Sequence, residues 1–330
     1  MEFAAPADGP YDFRILGPVE VHDRRTGSWI APPGPKQRIL LAALVVRAGE
    51  VLTADRLVDE LWGDVPPMAA ANALQAHVAR LRRLLQAPGE GGQDRIATHP
   101  MGYLLRPGRT ATDAQQFHRL SAEGRDALAA DPARAAAVLR RALDLWRGPA
   151  LEDCGRGAIC AREADRLEEL RLTTLETLYE AGLRVPGVRP GELAAELERL
   201  TADHPTHERF YDLLMTALHR AGRRTEALGV YERARRRLLS ELGVEPGPAL
   251  RGRMETILRN APAGPPNPGA PGGPRDPGPA DEALPAFSPD AAALLDLGTE
   301  IARLRRHVET LSRAHQELAR RIDAQLGSSR

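Results

Sequence analysis

Residues 72–85, NALQAHVARLRRLL, carry three arginines and no carboxylate, in a chain whose acidic and basic residues balance at 45 each. At about 100° per residue, Ala71, Leu74, Val78, Leu81 and Leu85 fall on one stripe of a helix. Asn72, Ala76, Arg80 and Arg83 fall on the opposite stripe, with Ala69, Ala73 and Ala79 around them. Such small side chains let a backbone approach a groove floor, and His77 and Arg82 flank the stripe in reach of phosphates. Arginine on a helix surface is most often just solvated, but a solvated face usually mixes charge signs. The neighbours of this helix decide between the two readings.

Upstream, YDFRILGPVEVHD and GSWIAPP alternate apolar and polar residues in short runs, which predicts a small antiparallel sheet over 11–31. A helix follows from about Lys36 to Arg47 on Ile39, Leu40, Ala43 and Leu44, and Gly49 ends it. Thr53 is placed to cap a second helix, ADRLVDELWG, with Leu57, Leu61 and Trp62 on its apolar side. Pro66 and Pro67 then introduce the arginine helix. Downstream, RIATHPMGYLLRP predicts a hairpin of two short strands around His99 to Gly102. Strands, three helices and a hairpin within about 100 residues make a winged helix-turn-helix, whose third helix enters the DNA major groove. In that setting DNA reading explains the arginine face better than solvation does. Lys36 and Arg38 mark the start of the first helix, and Trp62 can offer its indole N–H.

From Thr112 to Arg259 the pattern is almost entirely helical, with apolar residues at three and four spacing, and its apolar periodicity predicts a self-contained fold. ERFYDLLMTALHRAG and RRTEALGVYERARRRLLSELG resemble a tetratricopeptide unit, with small residues where paired helices approach closely. Residues 260–289 are dense in proline and glycine and predict a disordered linker. Beyond it, Leu294, Leu297, Ile301, Leu304, Val308, Leu311, Leu318 and Ile322 follow a 3.5-residue period, with His315 as a polar interruption. Branched residues at a with leucine at d predict a parallel two-stranded coiled coil over 290–327, hence a homodimer. The alternative is one amphipathic helix docking back on the repeat domain.

Composition excludes more than it assigns. Of the 45 basic residues all but Lys36 are arginine, the composition of a GC-rich genome. Cys154 and Cys160 are the only cysteines and support neither a disulfide framework nor a zinc site. No apolar run approaches the about 20 residues that cross a bilayer, and the expectation is a cytoplasmic, nucleoid-associated protein without membrane contact. No phosphate-binding glycine loop, nucleophile elbow or zinc-helix motif occurs, and Lys36 follows PPGP rather than such a loop. HPTHE at 204–208 opens a helix after a proline and reads as capping and packing rather than a metal site. Neither enzyme activity nor a cofactor is expected.

The stretch from Pro35 to Leu85, with ATHPMGYLL after it, resembles the OmpR/PhoB-type winged-helix domain. LLMTALHRAGRRTEALGVYERARRRLLSELGVEPGPALR resembles the bacterial transcriptional activator domain. Together, over roughly 11–259, they resemble the Streptomyces antibiotic regulatory proteins, in their short form. The expected architecture is mainly α: a winged helix-turn-helix with a small sheet and wing (11–110), an all-α tetratricopeptide-like domain (112–259), the linker, and the coiled-coil helix. The resemblance implies an activator that binds promoter direct repeats near the −35 region and recruits RNA polymerase through sigma factor region 4 and the alpha C-terminal domain. Secondary-metabolite gene clusters are the implied targets. By position, Arg80 matches the base-reading arginine, Asn72, Ala73 and Ala76 match groove-facing positions, and His77, Arg82 and Arg83 match phosphate or groove-edge positions. His99 stands where the wing commonly carries arginine, which weakens minor-groove reading. Ala54 replaces a basic residue at the second helix's start, where Arg56 substitutes. The competing function is a helical-repeat scaffold whose winged helix contacts protein instead of DNA.

Overall fold

The computed structural model describes residues 11–85, 95–106, 112–155 and 157–259. The proline-rich stretch 260–289 and the heptads running from Leu294 to Ile322 lie outside the described residues.

The alternating runs at the start become β1 (Tyr11–Arg14), β2 (Glu20–Asp23) and β3 (Ser28–Ile30), an antiparallel meander in which Val21 pairs with Phe13 and Ile30. Tyr11, Phe13 and Val21 are buried. The next helix, α1 (Pro35–Val46), begins on a proline, whose missing N–H is harmless in a first turn. Every residue from Ile39 to Val45 is buried, as befits a helix enclosed on all sides. It packs against α2 (Ala54–Trp62) and α3 (Ala70–Leu84), and against the later helix α6 (Ala158–Arg184). Thr53 caps α2 by accepting a hydrogen bond from Arg56 N–H, as its position before an apolar run implies. It also belongs to β4 (Leu52–Thr53), which joins β5 (Ile96–His99) and β6 (Gly102–Leu105) in a second sheet of order β4-β6-β5. The winged helix-turn-helix is therefore complete.

After it come α4 (Asp113–Ala127), α5 (Pro132–Leu143), α6, α7 (Pro190–Asp203), α8 (Glu208–Arg220), α9 (Arg224–Leu242) and α10 (Pro248–Arg259). Successive helices pack on one another: α4 on α5, α5 on α6, α7 on α8, and α8 on both α9 and α10. Local signals start and stop them. Thr112 and Gln115 form a capping box at α4, Asp131 caps α5 ahead of Pro132, and Gly243 ends α9 in the left-handed conformation.

The expectation of a self-contained helical domain needs correction. One core runs from Phe13, Leu40, Leu44, Leu61 and Leu81 of the winged helix into Phe117, Val138, Leu151, Ile159 and Leu167. A second core, on Leu197, Phe210, Leu214, Val230 and Ile257, serves the later helices. The division falls within α6, between Leu170 and Leu172, well beyond the boundary near residue 111 that motif content marks. Polar contacts also join the N-terminal domain to the helices that share its core. Arg147 N–H donates to Leu16 O (2.9 Å) and Leu151 N–H to Ile15 O (2.9 Å). Asp113 accepts from Ile15 N–H (2.8 Å) and Leu16 N–H (3.0 Å). Glu60, on α2, accepts from Ile159 N–H (2.7 Å) and Cys160 N–H (2.9 Å) in the first turn of α6. A buried carboxylate on those unpaired donors is favoured by the positive end of the helix. Burial raises the Asp113 carboxyl above its ordinary range, against three backbone hydrogen bonds and Arg147 that oppose the rise.

Candidate nucleic-acid interface

Helix α3 is held by Leu74, Val78 and Leu81, with Leu85 buried just past its end. That orientation leaves Asn72, Gln75, Ala76, Ala79, Arg80 and Arg83 exposed as one continuous stripe. Ala71, expected on the apolar stripe, is exposed as well, and Ala73 is half-buried at the margin. Gln75 was missed by the sequence reading, although its spacing of three from Asn72 puts it on the same face. A glutamine there can donate to and accept from adenine in a bidentate pair. Among the described residues no carboxylate is within ion-pair distance of Arg80 or Arg83. Arg83 Nε makes only a long contact, 3.4 Å, to Ala79 O in its own helix. The N-terminus of α3 has no side-chain cap and no acid in its first turn, so its N–H groups keep their positive end open.

The remaining expected site residues separate into those on this face and those committed elsewhere. Arg82 lies one position off the stripe, and its guanidinium is tied to the wing. Nε and Nη2 donate to Ile96 O (2.9 and 2.6 Å), and Nη2 also reaches Thr98 Oγ1 (2.7 Å). In place of the expected phosphate contact, the structure shows a strut that fixes the wing relative to α3. Arg38, too, turns away from the expected site. It donates to Pro32 O (3.1 Å) and pairs with Asp153 at 2.8 Å, on the seam with the helical domain. Lys36 Nζ donates to Leu61 O at the end of α2 and lies 5.9 Å from the Trp62 ring centre. It serves as a C-terminal cap, a favourable place for a cation.

His77 is half-buried between Trp62, whose ring centre is 6.1 Å away, and the body of the domain. Loss of solvent lowers its pKa from the ordinary 6.5, and the positive charges of Arg80 and Lys36 lower it further. It therefore presents a neutral ring at neutral pH, a poorer phosphate partner than its position suggests. Arg56 is exposed on α2.

The wing carries its own logic. His99 pairs with Gly102 across a two-residue turn of Pro100 and Met101. Thr98, His99, Pro100 and Met101 are all exposed. His99 folds back, Nδ1 accepting from Met101 N–H at 3.3 Å. Gly102 is required by contact rather than by a turn: a Cβ there would stand 1.9 Å from Leu52 O. The tip is anchored from below, since Ala54 N–H donates to Met101 O (3.0 Å). Between α2 and α3 a loop exposes Val65 (82%) and Met68 (110%), two apolar side chains that the sequence reading passed over.

Among the described residues no cluster of His, Cys, Asp and Glu could hold a metal, and no helix is long and apolar enough to cross a membrane.

Comparison with known proteins meets this architecture from both halves. The model for the C-terminal domain of transcriptional regulatory proteins matches residues 32–105, and that for the bacterial transcriptional activator domain matches 112–258. The chain is 43% identical over 258 residues to the transcriptional regulator RedD of Streptomyces coelicolor, covering 77% of this chain and 72% of RedD. It is 40% identical over 254 residues to the regulatory protein DnrI of Streptomyces peucetius, covering 75% of this chain and 92% of DnrI. A solved structure of Mycobacterium tuberculosis EmbR in complex with a low-affinity phosphopeptide superposes with a TM-score of 0.70 at 34% identity. That match covers 77% of this chain and 66% of EmbR.

Proposed function

Because the chain belongs to the Streptomyces antibiotic regulatory protein family of transcriptional regulators, we propose that it is a sequence-specific DNA-binding activator of a secondary-metabolite gene cluster. The observation that carries this reading is the acid-free exposed stripe of α3, with Asn72, Gln75, Arg80 and Arg83 standing among alanines beside an anchored wing. Arg80 reads guanine, Asn72 and Gln75 serve adenine, and Arg83 with the open N-terminus of α3 takes phosphates. His99 and the exposed wing tip reach the adjacent backbone. Direct repeats near the −35 region place two copies on one face of the duplex.

Activation requires a polymerase contact, and the loop from Gly63 to Ala69 supplies the surface. Val65 and Met68 project from it into solvent, where apolar side chains are costly unless a partner covers them. Replacing both with aspartate is expected to leave DNA affinity intact and abolish activation in a purified transcription assay. Homodimerisation is assigned to the heptads of 290–327, outside the described residues. Deleting 290–330 should then leave a monomer in sedimentation, and an unchanged oligomeric state would refute the assignment.

Protection mapping over the promoters around the protein's own gene tests the reading directly. Repeated protected sites, spaced by whole helical turns of about 10–10.5 base pairs beside a −35 element, are expected. Association that is indifferent to salt and sequence would instead favour a protein-binding scaffold.

A further inference from the structure

A cavity of about 150 Å³ opens where the end of α1, one side of α2 and the first turn of α6 meet. Arg47, Arg56 and Arg162 line it together with Asp59, Glu60 and Ile159. Three arginines thus line one small space. Some arginines of the helical domain take a carboxylate one turn away, as Arg166 does with Glu163 and Arg223 with Glu226. Arg56 has Asp59 one turn on, and Arg162 has Asp165. Yet among the described residues neither arginine makes an ion pair. Arg47 approaches Glu50 only at 3.7 Å, and its Nε is buried without a hydrogen-bond partner.

The two carboxylates at the rim do not cancel this charge. Both oxygens of Glu60 are already engaged by Ile159 and Cys160 N–H, where the N-terminus of α6 offsets its charge. Asp59 is exposed and bonded to none of the three arginines. Guanidinium groups are planar forks that match phosphate oxygens two at a time, and they are less hydrated than ammonium groups. We infer that this seam is a phosphate-binding site, in which Arg47, Arg56 and Arg162 hold one phosphate group between the winged helix and the helical domain. The phosphate comes either from the DNA backbone beside the reading helix or from a free phosphate ester. The site goes beyond the function proposed above, and its free-ligand arm does not depend on that function.

The full chain serves for both arms. In the first, inorganic phosphate is titrated against chloride at constant ionic strength, and the thermal midpoint is followed. A saturable rise is expected. Arg56→Ala and Arg162→Ala should each raise the half-saturating concentration about tenfold, the loss of one charge-assisted contact. Arg166→Ala, one turn along α6 and paired with Glu163, should leave the titration unchanged. In the second arm, affinity for a mixed-sequence DNA duplex is measured against salt. If the DNA backbone is the source, Arg162→Ala reduces the log–log slope by about 0.9, one phosphate's worth. A phosphate response lost in the variants with an unaltered slope identifies a free phosphate ester. If neither measurement changes in Arg56→Ala and Arg162→Ala, the site does not exist. Should the wild-type chain bind no DNA at all, the proposed function fails while the phosphate titration still decides the cavity.

Discussion

Arg80 and Arg82 stand two positions apart on one helix and face different tasks. Arg82 spends its guanidinium on Ile96 O and Thr98 Oγ1, so Arg82→Ala should loosen the wing. The expected cost is about 1–2 kcal/mol in denaturant unfolding, given a half-exposed group with charged hydrogen bonds. The salt slope of DNA binding should stay as it was. A slope that fell with unchanged stability would return Arg82 to the phosphates. His77 makes a second case. Its pKa lies below 6.5 because it is shielded from water and set beside Arg80 and Lys36. A histidine depressed in the folded state contributes stability above its unfolded value, and that stability is lost as pH falls through the folded value. His118 is depressed in the same direction, by burial and by Arg166. Acidification from neutral pH to about 5 should therefore destabilise the chain, less so in His77→Gln and least in the double variant with His118→Gln. Equal acid sensitivity in all three would contradict the assignment. The periodicity of residues 72–85 showed which side of α3 is apolar, and so placed Asn72, Arg80 and Arg83. It did not show Arg82's partners, because Ile96 and Thr98 are brought to it only when the hairpin folds back.

At the level of elements, the chain is organised by signals of two ranges. Short-range ones were legible: the Thr53 cap, the Thr112 capping box, and the His99-to-Gly102 turn between alternating runs. Long-range ones were not. Glu60 looks like any solvated helix carboxylate until α6 arrives from 99 positions later and sets two N–H groups on it. Gly157 is part of that junction, since a Cβ there would stand 2.3–2.7 Å from the Glu60 carboxyl group. Gly157→Ala should push the carboxylate off the helix end, and Glu60→Gln should replace one acceptor with a competing donor. Each is expected to cost about 1–3 kcal/mol, read by denaturant unfolding. Neutral effects in both would show that the junction carries no stability.

Among the described residues, the shared core makes the winged helix and the first helices of the activator domain one body. Motif content divides the chain near residue 111, whereas packing divides it within α6. Periodicity locates a helix's buried face but not the partner that covers it, and Phe117 and Leu167 share their core with residues of the winged helix. A fragment of 112–259 should therefore expose that surface, bind a hydrophobic dye and aggregate. A well-behaved, cooperatively folded fragment would contradict the shared core.

The exposed stripe of α3 is the surface proposed to read bases. Its most direct test is the ratio of affinities for the protected operator and a mixed-sequence duplex, measured at one salt concentration for the wild type and for Arg80→Ala. A bidentate arginine–guanine pair carries about 1–3 kcal/mol of discrimination, so the ratio should fall roughly tenfold to a hundredfold. The thermal midpoint should not move, because Arg80 is exposed and has no carboxylate partner among the described residues. An unchanged ratio, or a loss of stability in its place, would show that this face does not read DNA.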